Sequence, residues 1–364
     1  MNLKSITENG VAFDYPLFAK EVLAPVHQEQ AQLEQCIHSV IGYRDLADMS
    51  QIKRGLLVRK FQVPRNEQTF KDLIGIHPVY ADLHRYKKNE KFLKIYGAKM
   101  EAFFDDDGRI HPEYRIASET TGRITAYKPA ATAFDGRFMR YLIPAEGNAL
   151  LHLDYKAMEF RVLAAISKDK ELKKRLSDRH FDIHRGNASL ILHKPESEVT
   201  DAERQMIKSI GFALIYGAGA GTVSSKINEK AGNTVTPADV EKYMARFFLT
   251  YKGVWAYYHR MTHTKSTCYT LKGVELRGNL RYSQRLNYPI QATAADAFKE
   301  VITAIEDHFP EYKICLPVHD ALYIEVPELE AETALVSIQE LMENEMTDYL
   351  GVSSFTDAEI IYRK

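Results

Sequence analysis

The amino-acid sequence predicts an α+β chain, with a small group of buried strands flanked by helical subdomains. Three observations carry this expectation. Ala149-Leu150-Leu151-His152-Leu153-Asp154 is a short apolar run that leads directly into a helical pattern from Lys156 to about Ile166. Two more strand-like runs, residues 313–318 and 322–326, flank a tight turn at His319-Asp320-Ala321. Residues 182–262 are mostly helical in pattern, interrupted by Gly217-Ala218-Gly219-Ala220-Gly221 and by Pro237. Nearer the N-terminus, residues 17–42 carry a helical stripe that includes Leu17, Phe18, Val22, Leu33, Ile37 and Val40. Residues 66–100 read as further helices, with Pro64 and Pro78 as boundaries. No internal repeat or low-complexity tract is visible.

The chain has 364 residues, 45% hydrophobic and 27% charged, a globular composition with room for two or three subdomains. No run reaches the roughly 18–20 apolar residues needed to cross a membrane, so no membrane association is expected. Met1-Asn2-Leu3-Lys4-Ser5 is not followed by an apolar core, so no secretory signal is expected. Cys36, Cys268 and Cys315 are scattered and form no CxxC pair. That points to a reducing, cytoplasmic setting and away from disulfides and structural zinc. The net charge of −1 argues by itself against a nucleic-acid protein, but the charge is unevenly placed. Residues 53–99 hold twelve Lys or Arg against four Asp or Glu, a local charge of +8, and the stretch from Glu325 onward is acidic. Such a basic segment suits a phosphate backbone, although many basic runs are plain solvated surface.

Arg204, Lys208, Phe212 and Tyr216 recur at every fourth residue, and Gly217 follows. On a helix each four-residue step advances about 400°, so these side chains share one face. Two cations toward one end and two rings toward the other suit a ligand that joins an anionic chain to a flat apolar ring, as a nucleoside triphosphate does. A solvated face whose cationic stems lie over apolar surface fits the same four residues. Met206, Ile207, Ile210, Leu214 and Ile215 supply an apolar back to this helix.

Asp154 ends one apolar strand and Asp320 sits in the turn between two others. Two carboxylates held side by side repel one another unless a cation lies between them. Mg²⁺ suits such a pair, being hard and commonly bound by one or two carboxylates plus substrate phosphates. Two such ions can serve both the attacking and the leaving oxygen. Asp154 in front of a helix also fits an N-cap.

In combination, these segments carry a resemblance to family A DNA polymerases. Asp154-Tyr155-Lys156-Ala157-Met158-Glu159-Phe160-Arg161 resembles the family's first motif, Asp-Tyr-Ser-Gln-Ile-Glu-Leu-Arg. The Arg204–Gly217 stretch resembles its second, Arg-x3-Lys-x3-Phe/Tyr-x3-Tyr-Gly, and Val318-His319-Asp320-Ala321 resembles its third, Val-His-Asp-Glu. Thr121-Gly122-Arg123, Asp182-Ile183-His184-Arg185 and the block from Asn287 to Asp296 match in family order, and Asn9-Gly10-Val11-Ala12-Phe13-Asp14 resembles the segment that opens the polymerase domain. Six ordered motifs are far more specific than any one of them.

The resemblance implies a right-hand polymerase fold, a palm with an antiparallel sheet and helical fingers and thumb. The thumb would span residues 1–100, the palm 101–181 and 263–364, and the fingers 182–262. It implies template-directed addition of dNTPs to a primer 3′-hydroxyl. Asp154 and Asp320 would hold two Mg²⁺ ions, with the Tyr155 carbonyl assisting. Arg204, Lys208 and His184 would hold the triphosphate, and Lys208 would protonate the leaving pyrophosphate. Phe212 would pack on the incoming sugar and base, and Tyr216 near the template position. Glu159 would be the steric gate against ribonucleotides. Arg123, Asn287 and Gln291 would reach minor-groove acceptors, which sit alike in every correct pair. His319 would support the primer terminus. Primer–template DNA, dNTPs and accessory replication or repair proteins are the implied partners of a monomer, with replication of a small element, repair and lesion bypass all open as its role. The chain begins at the thumb, so proofreading is expected from a partner.

Several residues depart from the family pattern. Ala321 stands where a Glu is usual, Lys156-Ala157 where Ser-Gln is usual, and Gly211 and Ala213 where Asn and Gly are usual around Phe212. The residues after Thr270-Leu271 lack the usual Gly-Arg-Arg. An arginine usual eight residues before the motif glutamine is absent, and Arg285 lies six before Gln291. Altered extension efficiency or fidelity is the expectation. A single-subunit RNA polymerase, which shares the palm logic, is opposed by Glu159. A silent primer–template binder is opposed by Asp154, Asp320 and Lys208 being present together.

Overall fold

The computed structural model describes residues 1–65, 73–116, 120–231, 235–263, 267–276 and 278–363. The chain divides into two units, one of residues 11–111 and 134–143, the other of residues 1–10, 112–133 and 144–364.

In the first unit Val11–Phe13 pairs antiparallel with Arg109–Ile110 and with Leu142–Ile143. Phe13 stacks on Phe138 at 4.0 Å and meets Phe18 edge-on at 5.6 Å. The expected helix over 17–42 appears as Tyr15–Phe18, a π-helical Ala19–Leu23 and Ala24–Ile41. Pro78–Tyr96 starts at the proline, which is favoured in the first turn of a helix. The part of the 66–100 expectation that falls on residues 66–72 lies outside the described residues. Ile37, Ile52, Leu56, Val79 and Leu83 form the core here.

The second unit is built on a four-stranded antiparallel sheet. Its strands are β1 (Asn148–Tyr155), β2 (Lys313–Val318), β3 (Ala321–Pro327) and β4 (Thr356–Tyr362), in the order β4-β1-β3-β2. The apolar run at 149–154 is thus a central strand, hydrogen-bonded on both sides. Seven helices matter to the site: α1 (Met158–Ser167), α2 (Ile183–Leu192), α3 (Asp201–Ile215), α4 (Pro237–Thr250), α5 (Lys252–His263), α6 (Tyr282–His308) and α7 (Ala331–Leu350). α7 packs on β1 and β4, and α6 on α7 and α1. The side chains of Ala149, Leu151, Leu153 and Tyr155 alternate along β1 with His152 and Asp154, as a pleated strand requires.

Two expectations shift. The helix after β1 begins at Met158 rather than Lys156, because Ala157 takes a left-handed conformation at φ 51° and breaks the run. Ala157, with no side-chain cap, is the N-cap, so Asp154 is not the cap that its position allowed. The break expected at Pro237 is present: the preceding helix ends at Ala231, and Pro237 opens α4 behind Thr236, whose side chain forms a capping box with Asp239. α6 was not legible, since Pro289 lies inside it. Proline removes the bond to the Arg285 carbonyl, and that oxygen instead accepts from Cys268 Sγ at 3.9 Å. Tyr257 Oη donates to the next carbonyl, Leu286, at 2.8 Å. Among the described residues, no helix is long and apolar enough to cross a membrane.

Candidate active site

β1 and β3 are adjacent, with Asp154 directly opposite Ala321, so the preceding Asp320 arrives beside Asp154. The Tyr155 amide donates to the Asp320 carbonyl at 3.3 Å and extends the ladder into the turn. His319, in that turn, has φ 56°. A two-residue hairpin turn needs positive φ at its first central position. Each aspartate therefore lies close to a non-glycine residue in the left-handed region, His319 and Ala157, a kind of local strain that clusters at functional sites.

Packing of protein around Asp320 pushes its carboxyl up to about 7, and Asp154 adds to the push. Asp154 opens onto the cleft, yet the protein around its carboxyl also raises it. Asp357 works in the same direction, against His152, His319 and Lys208. Asp154 thus makes Asp320 harder to ionise, a shift that a divalent cation between them would reverse. Among the described residues no group of three His, Cys, Asp or Glu converges as a metal site. Two carboxylates and a nearby carbonyl suit Mg²⁺, which keeps water and substrate phosphates in its remaining positions.

The cation-and-ring stripe faces the same cleft, which has a volume of about 760 Å³. Thr200 and Glu203 close a capping box at the start of α3. Arg204 Nε donates to Asp182 Oδ2 at 2.6 Å. Asp182 is also the N-cap of α2, with Oδ1 accepting from the amides of His184 and Arg185. Among the described residues no carboxylate lies within ion-pair distance of Lys208, whose Nζ sits 5.8 Å from the Phe212 ring centre. His184 is buried, with its ring 5.8 Å from that of Phe212.

Tyr216 lies one residue beyond the helix, as its C-cap. Its hydroxyl donates to Glu159 Oε1 at 3.0 Å and accepts from Gln291 Nε2 at 3.4 Å. Arg123 approaches the same Glu159 oxygen at 3.5 Å, while Oε2 is buried with no hydrogen-bond partner among the described residues. Gly217 follows at φ 66°, and a Cβ there would come within 2.7 Å of Leu286 Cδ1. Glycine meets the turn without backbone strain and without displacing Leu286.

The cleft therefore gathers Asp154, Tyr155, Glu159 and Arg123 with His184, Arg204, Lys208 and Phe212, and with Tyr216, His319 and Asp320. Asn287 and Gln291 do not line it. Gln291 borders it through Tyr216, and Asn287 is buried one turn earlier on α6, its Nδ2 without a hydrogen-bond partner among the described residues. Two of the departures find partners in the fold. Lys156 Nζ pairs with Asp357 on β4 at 2.9 Å. Arg285 turns back to the Leu280 carbonyl at 3.0 Å.

Two residues of the site went unassigned in the sequence. Asp182 anchors Arg204, as described. Arg161, only 2% exposed, donates from Nε to the Lys156 carbonyl at 2.7 Å and from Nη1 to the Leu176 carbonyl at 3.1 Å and the Ser353 carbonyl. It fixes the bend that follows Asp154, and burial pulls its pKa down to about 10. The available signal was a charged residue between Phe160 and Val162 in a mostly apolar helix.

A family model described as DNA polymerase family A matches residues 18–360. DNA polymerase I of Treponema pallidum is 26% identical over 339 residues, 84% of this chain and 33% of the relative. The thermostable DNA polymerase I of Thermus filiformis is 27% identical over 381 residues, 94% of this chain and 44% of the relative. The chain thus spans less than half the length of either relative. Among solved structures, the POL domain of Pol1 from M. smegmatis, in complex with DNA primer-template and dNTP, superposes with a TM-score of 0.82 at 22% identity, covering 98% of this chain and 67% of that one. The likeness bears out the α+β, right-hand polymerase fold.

Proposed function

This chain belongs to DNA polymerase family A, and we propose that it is a DNA-directed DNA polymerase, adding dNTPs to a primer 3′-hydroxyl paired to a template. The observation that carries this reading is one cleft in which Asp154, on β1, and Asp320, in the turn that opens the adjacent β3, face a helix bearing Arg204, Lys208 and Phe212.

Asp154 and Asp320, with the Tyr155 carbonyl, would hold two Mg²⁺ ions, which when bound neutralise developing charge and raise the nucleophilicity of the primer hydroxyl. Arg204 and Lys208 bind the triphosphate, and Lys208 delivers the proton to the departing pyrophosphate. His184, held neutral, offers one N–H to phosphate without adding charge. Phe212 packs on the sugar and base, and Tyr216 occupies the template side. Glu159, tethered by Tyr216 and Arg123, fills the space of a 2′-hydroxyl. Arg123, Gln291 and Asn287 sense the minor groove, and His319 supports the primer end. We assign the thumb to residues 1–100, the palm to 101–181 and 263–364, and the fingers to 182–262. A monomer in the cytoplasm, serving replication or repair with accessory proteins, completes the proposal.

Primer extension with Mg²⁺ and four dNTPs tests it. Asp154→Asn and Asp320→Asn are expected to abolish extension while primer–template binding persists. Full activity in either variant overturns the assignment of the carboxylates. Glu159→Ala is expected to admit NTPs, measured by competition between dNTP and NTP.

A further inference from the structure

A row of aromatic rings leaves the cleft on the side of Tyr216. Tyr282, 39% exposed, lies 3.5 Å from where a Cβ on Gly217 would stand, immediately after Tyr216. Its hydroxyl donates to Tyr258 Oη at 3.0 Å. The Tyr258 ring is 5.1 Å from Phe248, Phe248 is 5.2 Å from Trp255, and Trp255 is 5.8 Å from His259. Trp255 is 48% exposed. The row thus runs from the start of α6 across α5 and the end of α4.

Charge follows the rings. From Lys242 to Arg285 the sequence has nine Lys or Arg and a single acidic residue, Glu275. Lys252, Arg260 and Arg281 are exposed, and each lies within three residues of a ring in the row. Trp255, His259 and Tyr282 are exposed, with Phe248 and Tyr258 half-buried between them. Rings on a core-facing side would be buried, and a purely solvated face has no need of them. Exposed aromatics set among cations are the composition of single-strand nucleic-acid surfaces, where bases stack and the backbone is neutralised.

We propose that Tyr282, Tyr258, Phe248, Trp255 and His259 form a stacking platform for the unpaired template strand as it approaches the cleft. This rests on the polymerase reading and adds a binding surface to it. None of these ring positions belongs to the nucleotide-binding stripe of α3.

Trp255 is the only tryptophan of the chain, so its fluorescence reports on the platform directly. The protein is titrated with one primer–template duplex bearing a template overhang of either one or ten nucleotides, and with oligothymidylate alone. Quenching is expected with the long overhang and the oligothymidylate, and little of it with the short overhang. By anisotropy of labelled DNA, Trp255→Ala and Tyr258→Ala should each weaken long-overhang binding on the order of tenfold. Binding of the short overhang and single-nucleotide addition to it should be unchanged, and Trp255→Phe should keep most of the affinity. Circular dichroism establishes that the variants are folded. Fluorescence indifferent to overhang length, or alanine variants that bind the long overhang as the parent does, overturns the platform, and a protein-docking role for the patch would give that result. Overhang-dependent quenching without nucleotide addition would instead sink the polymerase reading and leave the platform standing.

Discussion

His184 shows how one residue's surroundings set its chemistry. Its ring lies 5.7 Å from Phe160 and 5.8 Å from Phe212. Burial holds its pKa down to about 4, Lys208 and Arg204 push the same way, and Asp182 opposes them. The ring is neutral at pH 7. In the unfolded chain the same histidine titrates near 6.5. Between the two values the unfolded state holds the extra proton, so stability rises with pH there, is complete above 6.5 and is lost as pH falls toward 4. The shift corresponds to about 3 kcal/mol. Urea unfolding at pH 4.5 and 7.5 should therefore show a smaller pH difference for His184→Gln than for the parent. An equal difference in the two proteins would refute the buried neutral ring. At this scale Asp154, Asp320 and Lys208 were legible because their motifs fix both residue type and spacing. Lys156 was not, because its partner Asp357 comes from the other end of the chain and only the register of β4 on β1 joins them.

Helix α3 approaches α1 closely at one point. A Cβ on Gly211 would lie 2.9 Å from Phe160 Cζ. The family pattern that the chain resembles has Asn and Leu at these two positions, so a larger ring on α1 faces a missing side chain on α3. Gly211 is thus a packing residue, compensating for Phe160 rather than loosening the helix. Gly211→Asn alone should overpack the contact and cost roughly 1–3 kcal/mol. In a Phe160→Leu background the added cost should shrink by about 1 kcal/mol or more, as for residues in direct contact. Denaturant unfolding of the four proteins decides, and strictly additive costs would refute the pairing. Elements with one clear period, such as β1 and α3, could be read from sequence. α6 could not, because the partners that let it pass Pro289 are the distant Cys268 and Tyr257. β4 went unread as well, with Asp357 and Glu359 on an edge strand that lacks a continuous apolar run.

For the whole molecule, the net charge of −1 conceals the distribution that DNA binding needs. Within the basic stretch not every cation is available to DNA. Arg85 pairs with Glu29 and Lys87 with Glu90, and Lys71 lies outside the described residues. Arg54 is exposed within the Met49–Val58 helix, and Arg59 and Lys60 just past its end, beside Leu57 at 67% and Val58 at 63% exposure. If these cations meet the phosphate backbone of the primer–template duplex, each displaces condensed counterions on binding. Each contact then contributes about 0.9 to the slope of log affinity against log salt. Replacing all three by alanine should flatten that slope by roughly 2 to 3 and weaken binding most at low salt. The rate of single-nucleotide addition at saturating DNA should not change, because Asp154, Asp320, Arg204 and Lys208 are untouched. Duplex binding measured from 50 to 200 mM salt supplies the slope. An unaltered slope would place the DNA backbone elsewhere on the molecule and leave the local charge of +8 as solvated surface.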